Sequence, residues 1–489
     1  MVKDTLKSLV FEKRAFIGGK FVTSISNKYL EKECPVDRSV ITGIPACNKE
    51  DVDLAVKAAR SAYKEGIWKN KPLKEKKEIL FKLASLMCEN HEQLALLDTY
   101  ETGRAYKNYY IDSIPKAIEV ITYFVESIDK IYDNCVIPNS TEFAAIIREP
   151  LGVVACITPW NDPLVPANWK MIPALLMGNS VIMKPAEQSS LSIILEAALA
   201  QKAGIPDGVL NIVTGYGEIA GKALALHNDI DGVFFTGSSE VGKLILQYSG
   251  QSNMKKVGLE CGGKSAFIVT ASCKHLKEAA KVLAANIFYN QGQICSAPSR
   301  AIIDNKIMPE FMEYLKKEAG NYVPRDPFSP ENIVGGVVSK VQKHKIEQYI
   351  SLGKESGLIC HQFGDDNIPL NGVLPTIFED ISSDSRLFKE EIFGPVLVVI
   401  GFDTLPEAIS IANDSVFGLA GAIWTDNLNE INYAARSIEA GIVHINSYGN
   451  DDNSVPFGGY KQSGIGKDKS IYAFDEYSQI KTIWMRILS

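Results

Sequence analysis

The segment FYNQGQICSAPSR, residues 288–300, carries the most pointed chemistry in the chain. A helical run, KEAAKVLAANIF, leads into Asn290, Gln291 and Gly292, and Cys295 follows on a stretch that reads as a loop. A thiol is a weak nucleophile while protonated, with only a few per cent thiolate at pH 7, so Cys295 needs a base or a positive environment. A free cysteine is usually a small buried hydrophobe. The polar, glycine-containing surroundings of Cys295 argue against that role here and leave it for most of the other cysteines.

Histidine does not supply the base. The chain has 6 histidines, none at a metal-ligand spacing such as HxxxH and none paired with cysteine at short range, which disfavours a metal centre. His275 starts the helical run that precedes Cys295 and lies about 30 Å of helix rise away. Glu260 in LECGGK, a lone carboxylate beside two glycines, is left as the strongest candidate base.

These residues need elements to position them. From residue 151 short β-rich runs alternate with helical segments: VVACIT (153–158), SVIMK (180–184), VLNIVTG (209–215), GVFFTG (232–237) and SAFIVT (265–270). That rhythm predicts an α/β fold with a mostly parallel sheet. Ligands then bind beyond the carboxyl ends of the strands, where the informative loops fall. TPWNDPL offers the amide of Asn161, KPAEQS offers Lys184 and Glu187, and TGSSEVGK offers a glycine turn, Gly237 to Gly242, opening a helix. Backbone N–H groups there, with Ser238 adjacent, can hold one phosphate of a dinucleotide. Residues 258–265, GLECGGKS, also match the phosphate loop of nucleoside triphosphatases. That loop needs a helix after it, whereas SAFIVT is β-rich and Glu260 would place a negative charge in the cradle.

Before residue 151, Asn48 caps a predicted helix with Asp51 three residues on, and Pro72 suits the first turn of a second. Gly204 is expected to end the helix SIILEAALAQKA. Two strand-like runs flank PNST within residues 131–148, and the tail KTIWMRIL alternates as a half-buried strand does. Such peripheral strands either complete a sheet in a neighbouring subunit or cover their own domain. The 489 residues suggest two or three domains. A net charge of −7 without a basic cluster argues against nucleic acid, and no apolar run is long enough to span a bilayer. The start lacks a secretory core, and 9 scattered cysteines without a CxxC pair read as reduced thiols in a cytoplasmic protein.

Taken together, TPWNDPL, MKPAEQS, FTGSSEVG, LECGGKS, NQGQICSA, EEIFGPV (390–396), NDSVFGLAG (413–421) and PFGGYKQSGIG (456–466) closely resemble the NAD(P)-dependent aldehyde dehydrogenase superfamily over nearly the whole chain. SNMKKVGLE and IFYNQGQIC look most like the bacterial γ-glutamyl-aminobutyraldehyde dehydrogenases of polyamine breakdown. The resemblance implies Cys295 as nucleophile, Glu260 as general base and Asn161 as oxyanion donor. It implies cofactor contacts at Thr158, Trp160, Lys184, Glu187, Gly237, Ser238, Glu391 and Phe393, and a substrate mouth at Asp162, Trp169, Phe288, Ile294, Ser296 and Phe457. The implied fold has a Rossmann-type dinucleotide domain (1–127 and 151–262), an α/β catalytic domain (263–462) and a small β oligomerisation element (128–150 and 463–489). A homodimer or homotetramer, a small-molecule aldehyde and NAD, with NADP as a second choice, follow from it. Glu187 near the ribose favours NAD, because a carboxylate accepts from both hydroxyls and repels a 2′-phosphate.

Three activities stay open on this reading: hydrolytic aldehyde oxidation, acyl transfer to coenzyme A, and binding without catalysis. Glu260 favours the first, since a coenzyme A acylating enzyme does not need that base. The chain departs from the family pattern at Cys261, where leucine is common, at Asp162, where an aromatic is frequent, at His444, where Trp is common, and at Lys467 and Asp468, which replace Arg-Glu. Asp162, Asp451 and Asp452 are expected to make the mouth acidic and to favour a polar or amine-bearing aldehyde.

Overall fold

The computed structural model describes residues 10–365, 367–449 and 452–488. Its first sheet has eight strands, of which five are parallel: Leu210–Ile212, Ser180–Lys184, Val153–Ile157, Gly232–Thr236 and Lys256–Glu260, in that spatial order. Antiparallel strands close both edges, Ala15–Ile17 with Lys20–Val22 on one side and Gly464–Ile465 on the other. The parallel strands are mostly apolar and buried because helices cover both faces, with polar residues chiefly at their ends. Successive residues of VVACI show the consequence. Val154 and Cys156 face a core formed with helices Leu73–Glu89, Ile114–Ser127, Leu164–Leu176 and Leu191–Ala203, while Val153, Ala155 and Ile157 face helix Lys49–Glu65.

A second sheet of seven strands follows the order Ile359–Gln362, Thr376–Glu379, Val396–Phe402, Arg300–Asp304, Ala266–Val269, Ala420–Trp424, Ile442–Ile445, and only its first pair is antiparallel. Strand Ala266–Val269 comes directly after Ser265, so no helix follows GLECGGKS and a phosphate loop is not formed. A third sheet joins Asn134–Asn139, Glu142–Pro150 and the tail strand Ser478–Arg486. Both peripheral runs are therefore strands of one sheet, which leaves Val136, Ile137, Ile480, Trp484 and Met485 exposed.

The local signals settle close to expectation. Asn48 and Asp51 form a reciprocal capping box, Asn48 Oδ1 accepting from the Asp51 N–H at 3.2 Å and Asp51 Oδ2 from the Asn48 N–H at 2.9 Å. Pro72 stands one residue earlier than expected, as the N-cap of helix Leu73–Glu89. Gly204 closes its helix at φ +118°, a conformation that a side chain would strain.

Asn179 ties three parts of the first sheet's surroundings together. Fully buried, it accepts from the Gly152 N–H at 2.9 Å and donates to the carbonyls of Ala174 and Tyr477, both at 2.9 Å. Asn179→Ala leaves those backbone groups unpaired and should cost about 3 kcal/mol or more. The urea midpoint of the variant measures that loss; an unchanged midpoint would show the groups find other partners.

Candidate functional site

Strand order reverses at Val153–Ile157, which has Ser180–Lys184 on one side and Gly232–Thr236 on the other, and the carboxyl ends of these strands form the crevice of a doubly wound sheet. Thr158, Lys184, Gly237 and Glu260 all stand at those ends. Lys184 is buried, its Nζ donating to the Pro185 carbonyl at 3.1 Å and lying 3.6 Å from the Glu187 carboxylate. Burial pushes its pKa down, against the pull of Glu187. Ser238 caps helix Ser239–Gln251, its hydroxyl accepting from the Val241 N–H at 3.3 Å. The Thr158 and Thr236 hydroxyls are buried there with no hydrogen-bond partner in the protein. A half-exposed carboxylate, a lysine, unpartnered hydroxyls and a helix start in one crevice fit a dinucleotide.

Residues 261–265 cross from the first sheet to the second, between strands Lys256–Glu260 and Ala266–Val269. Two glycines make the crossing close-fitting. A Cβ on Gly262 would overlap the Glu391 carboxylate, and one on Gly263 would lie 2.7 Å from the Cys295 carbonyl. The Gly263 N–H donates to Glu391 Oε1 at 3.1 Å. The crossing thus draws together Glu260, Glu391 and the Cys295 loop.

That loop is pinned from several sides. Asn161 Nδ2 donates to the Gln293 carbonyl at 3.0 Å, Gln293 Oε1 accepts from the Val338 N–H at 3.0 Å, and Gln291 Oε1 accepts from the Val373 N–H at 2.8 Å. Gln291 at φ +51° and Gly292 at φ +66° make the turn, where a Cβ on Gly292 would overlap the Gly394 carbonyl. The second N–H of the Asn161 amide stays available to an acceptor. Burial pushes the Cys295 thiol up to about 12, and the charges of Glu391 and Glu260 act in the same direction.

Glu260 is 4% exposed, and neither of its carboxylate oxygens makes a hydrogen bond. Burial and the charge of Asp468 hold its pKa well above the usual range, opposed by Lys170 and Lys467. Asp468 in turn forms a buried ion pair with Lys170 at 2.6 Å. Cys261, beside Glu260, packs with Leu259, Phe235 and Ile245, and burial pushes its thiol up to about 12, so it acts as a small apolar side chain.

On the opposite wall Phe393 holds φ +57°, a strained conformation for an aromatic residue. Gln342 Nε2 secures it by donating to its carbonyl at 2.8 Å, and its ring meets Trp160 edge-on at 5.4 Å.

The expected mouth residues divide. Trp169 and Phe457 meet at a tilt, ring centres 5.3 Å apart, and Ile294 and Ser296 flank Cys295 half-buried. Tyr448, unforeseen in the sequence, fixes this segment by donating to the Ser296 carbonyl at 2.6 Å. Phe288 does not reach the mouth: it ends helix Leu276–Phe288 on that helix's apolar face, 0% exposed within the core of the second sheet. Its neighbour Tyr289 lies instead beside Arg104, 5.4 Å from ring centre to guanidinium. Asp162 is not a free acid. Its carboxylate accepts from Arg104 at 3.1 Å and from the Ser113 hydroxyl at 2.9 Å. Asp452 is exposed and accepts from the Ser454 N–H at 2.7 Å, and Asp451 lies outside the described residues. The expectation of an acidic mouth is corrected at Asp162, whose charge Arg104 balances. His444 packs against Tyr448 with the rings tilted and their centres 4.7 Å apart.

Arg104 and Gln342 belong to none of the sequence motifs. Arg104 is a single cation in ETGRAY, and Gln342 sits on helix Lys340–Glu355, so neither carries a local signal.

Known proteins match this arrangement throughout. The profile of the aldehyde dehydrogenase family covers residues 21–483. An NADP/NAD-dependent aldehyde dehydrogenase, PuuC, of Escherichia coli is 44% identical over 99% of this chain and 98% of its own length. An aminoacetaldehyde dehydrogenase of Pseudomonas aeruginosa is 39% identical over 98% of this chain and 96% of its own. Among solved structures, the γ-glutamyl-γ-aminobutyraldehyde dehydrogenase of Burkholderia cenocepacia superposes with a TM-score of 0.96 at 41% identity, covering 100% of this chain and 99% of that one. An indole-3-acetaldehyde dehydrogenase solved with NAD+ superposes with a TM-score of 0.97 at 41% identity over 99% of both chains. The motifs, the crevice at the strand reversal and these matches agree: the chain belongs to the aldehyde dehydrogenase family.

Proposed function

We propose that Cys295, Glu260 and Asn161 carry the NAD-dependent oxidation of an aldehyde to its carboxylic acid in this chain. The observation that supports this most directly is the glycine crossing that sets Glu260 on one side and the Cys295 loop on the other.

The chemistry follows from the side chains. Cys295 loses its proton to solvent, and the thiolate sulfur bonds to the aldehyde carbon. The carbonyl oxygen becomes an oxyanion facing the free N–H of Asn161 and the Cys295 N–H, and one such donor contributes roughly 10² to 10³ in rate. When bound, NAD supplies the hydride acceptor, held by Lys184, Glu187 and Ser238 with Thr158, Trp160, Gly237, Glu391 and Phe393 around it. A thioester is left on Cys295. Glu260 takes a proton from water, the resulting hydroxide adds to the thioester carbon, and the C–S bond breaks to release the acid.

Residues 1–127 and 151–262 are assigned to the dinucleotide domain, 263–462 to the catalytic domain, and 128–150 with 463–489 to assembly. The exposed apolar face around Ile137 and Trp484 supports a homodimer or homotetramer. A cytoplasmic setting fits the free cysteines of the chain. Relatives named for aminoacetaldehyde and γ-glutamyl-γ-aminobutyraldehyde, with the Arg104–Asp162 pair, support a polar substrate.

Replacing Glu260 separates the steps. Glu260→Gln should keep a stoichiometric NADH burst while steady turnover falls about 10²-fold or more, and Cys295→Ser should lose both. Because the Glu260 pKa is raised and the working form is the carboxylate, turnover limited by hydrolysis should climb as pH rises through that ionisation, and Glu260→Gln should flatten the climb. A burst that appears only with coenzyme A would contradict the hydrolytic route.

Asp162→Asn removes one charge of the Arg104 pair, and the ratio of kcat/KM between aminobutyraldehyde and hexanal should shift at least threefold; an unshifted ratio would remove this pair from substrate choice. Truncation after Tyr477 deletes the tail strand and should lower the sedimentation coefficient to that of a smaller assembly. An unchanged value would show that the third sheet does not hold subunits together.

A further inference from the structure

A lysine faces inward on the hairpin strand Tyr29–Glu33, whose alternation places Leu30 and Lys32 inside. Lys32 is 3% exposed and Glu101, on helix His91–Thr102, is 1% exposed. The two form an ion pair, and Lys32 Nζ also donates to the backbone carbonyl of Glu187 at 2.7 Å. The Glu101 oxygens accept from the Ser190 N–H, each at 3.0 Å, and from the Leu191 N–H at 2.8 Å.

Those N–H groups open helix Leu191–Ala203, whose N-cap Ser190 makes no capping bond of its own because its hydroxyl donates back to the Ala186 carbonyl. The ammonium therefore grips the Glu187 end of the loop and the carboxylate grips the Ser190 end, so that the 187–191 segment is held at both points. We propose that Lys32 and Glu101 are positioning residues for the cofactor, a buried pair that aims the Glu187 carboxylate at the adenosine ribose. This deepens the assignment of Glu187 made above and rests on it.

Energetics separate this role from simple stabilisation. A buried ion pair loses solvation comparable to what it gains, so it is weak evidence of net stability, and in some proteins such a pair specifies one arrangement. Here the arrangement specified is that of a loop three residues from Lys184, at the crevice. A cavity of about 310 Å³ lined in part by Lys32, Glu101, Glu187 and Gln188 adjoins the pair and gives small molecules a route to it.

Initial-rate kinetics on the full-length protein test the assignment. Lys32→Ala and the near-isosteric Glu101→Gln should each raise KM for NAD about tenfold with kcat within about twofold, the loss of a charged hydrogen bond to the ribose. KM for NADP, whose 2′-phosphate Glu187 repels, should rise less, so the preference for NAD narrows. Methylammonium should restore the KM of Lys32→Ala, through the cavity, and leave Glu101→Gln unchanged. Glu187→Gln serves as the reference and should raise KM for NAD by a similar factor. If it does while both Lys32→Ala and Glu101→Gln keep the native KM for NAD and the native cofactor ratio, the positioning role is overturned and the assignment of Glu187 stands. If Glu187→Gln itself changes neither cofactor's KM, that assignment falls and the positioning role with it. Should Lys32→Ala not fold, Glu101→Gln decides by the same two readouts.

Discussion

The close approach of backbone at Gly262 and Gly263 is the constraint on which the site depends. The chain leaves one sheet after Glu260 and enters another at Ala266, and only residues without side chains let Glu391 and the Cys295 carbonyl come within contact of the crossing. A larger residue at either position would push the loops apart and separate the candidate base from the candidate nucleophile. The two sheets can thus be built from ordinary alternating apolar strands, while the few unusual residues gather where they meet.

Electrostatics at that junction run against both working groups in their charged forms. Burial raises the Cys295 thiol to about 12 and holds Glu260 well above the carboxylate range. Burial thus works against the thiolate of Cys295 and against the carboxylate of Glu260. Lys170 and Lys467 temper the effect on Glu260, while Asp468, the partner of Lys170, adds to it. Neither oxygen of Glu260 is tied up in a hydrogen bond, which leaves the carboxylate free to serve the water that attacks the thioester.

Much of this was legible in the sequence because the chemistry sits at strand ends, and strand ends are marked by a change from apolar runs to glycine, proline and polar residues. Asn161, Lys184 and Glu260 stand at such changes, and Cys295 follows the comparable change at the end of helix Leu276–Phe288. What was not legible depends on long-range pairing. Asp162 read as a free acid because Arg104, its partner, lies 58 residues away. Phe288 read as a mouth residue because one step of helix phase, which sends it into the core and turns Tyr289 towards Arg104, is not decided by local composition. Lys32 reaches Glu187 across 155 residues and leaves no motif at all.

The central claim is that one sulfur atom carries the acyl group. Peptide mapping by mass spectrometry of Glu260→Gln, quenched after a single turnover with NAD and a short aldehyde, tests it most directly. The account predicts the acyl mass on the peptide that contains Cys295, with Cys261 unmodified. An acyl group found on Cys261, or on any thiol other than Cys295, would contradict it.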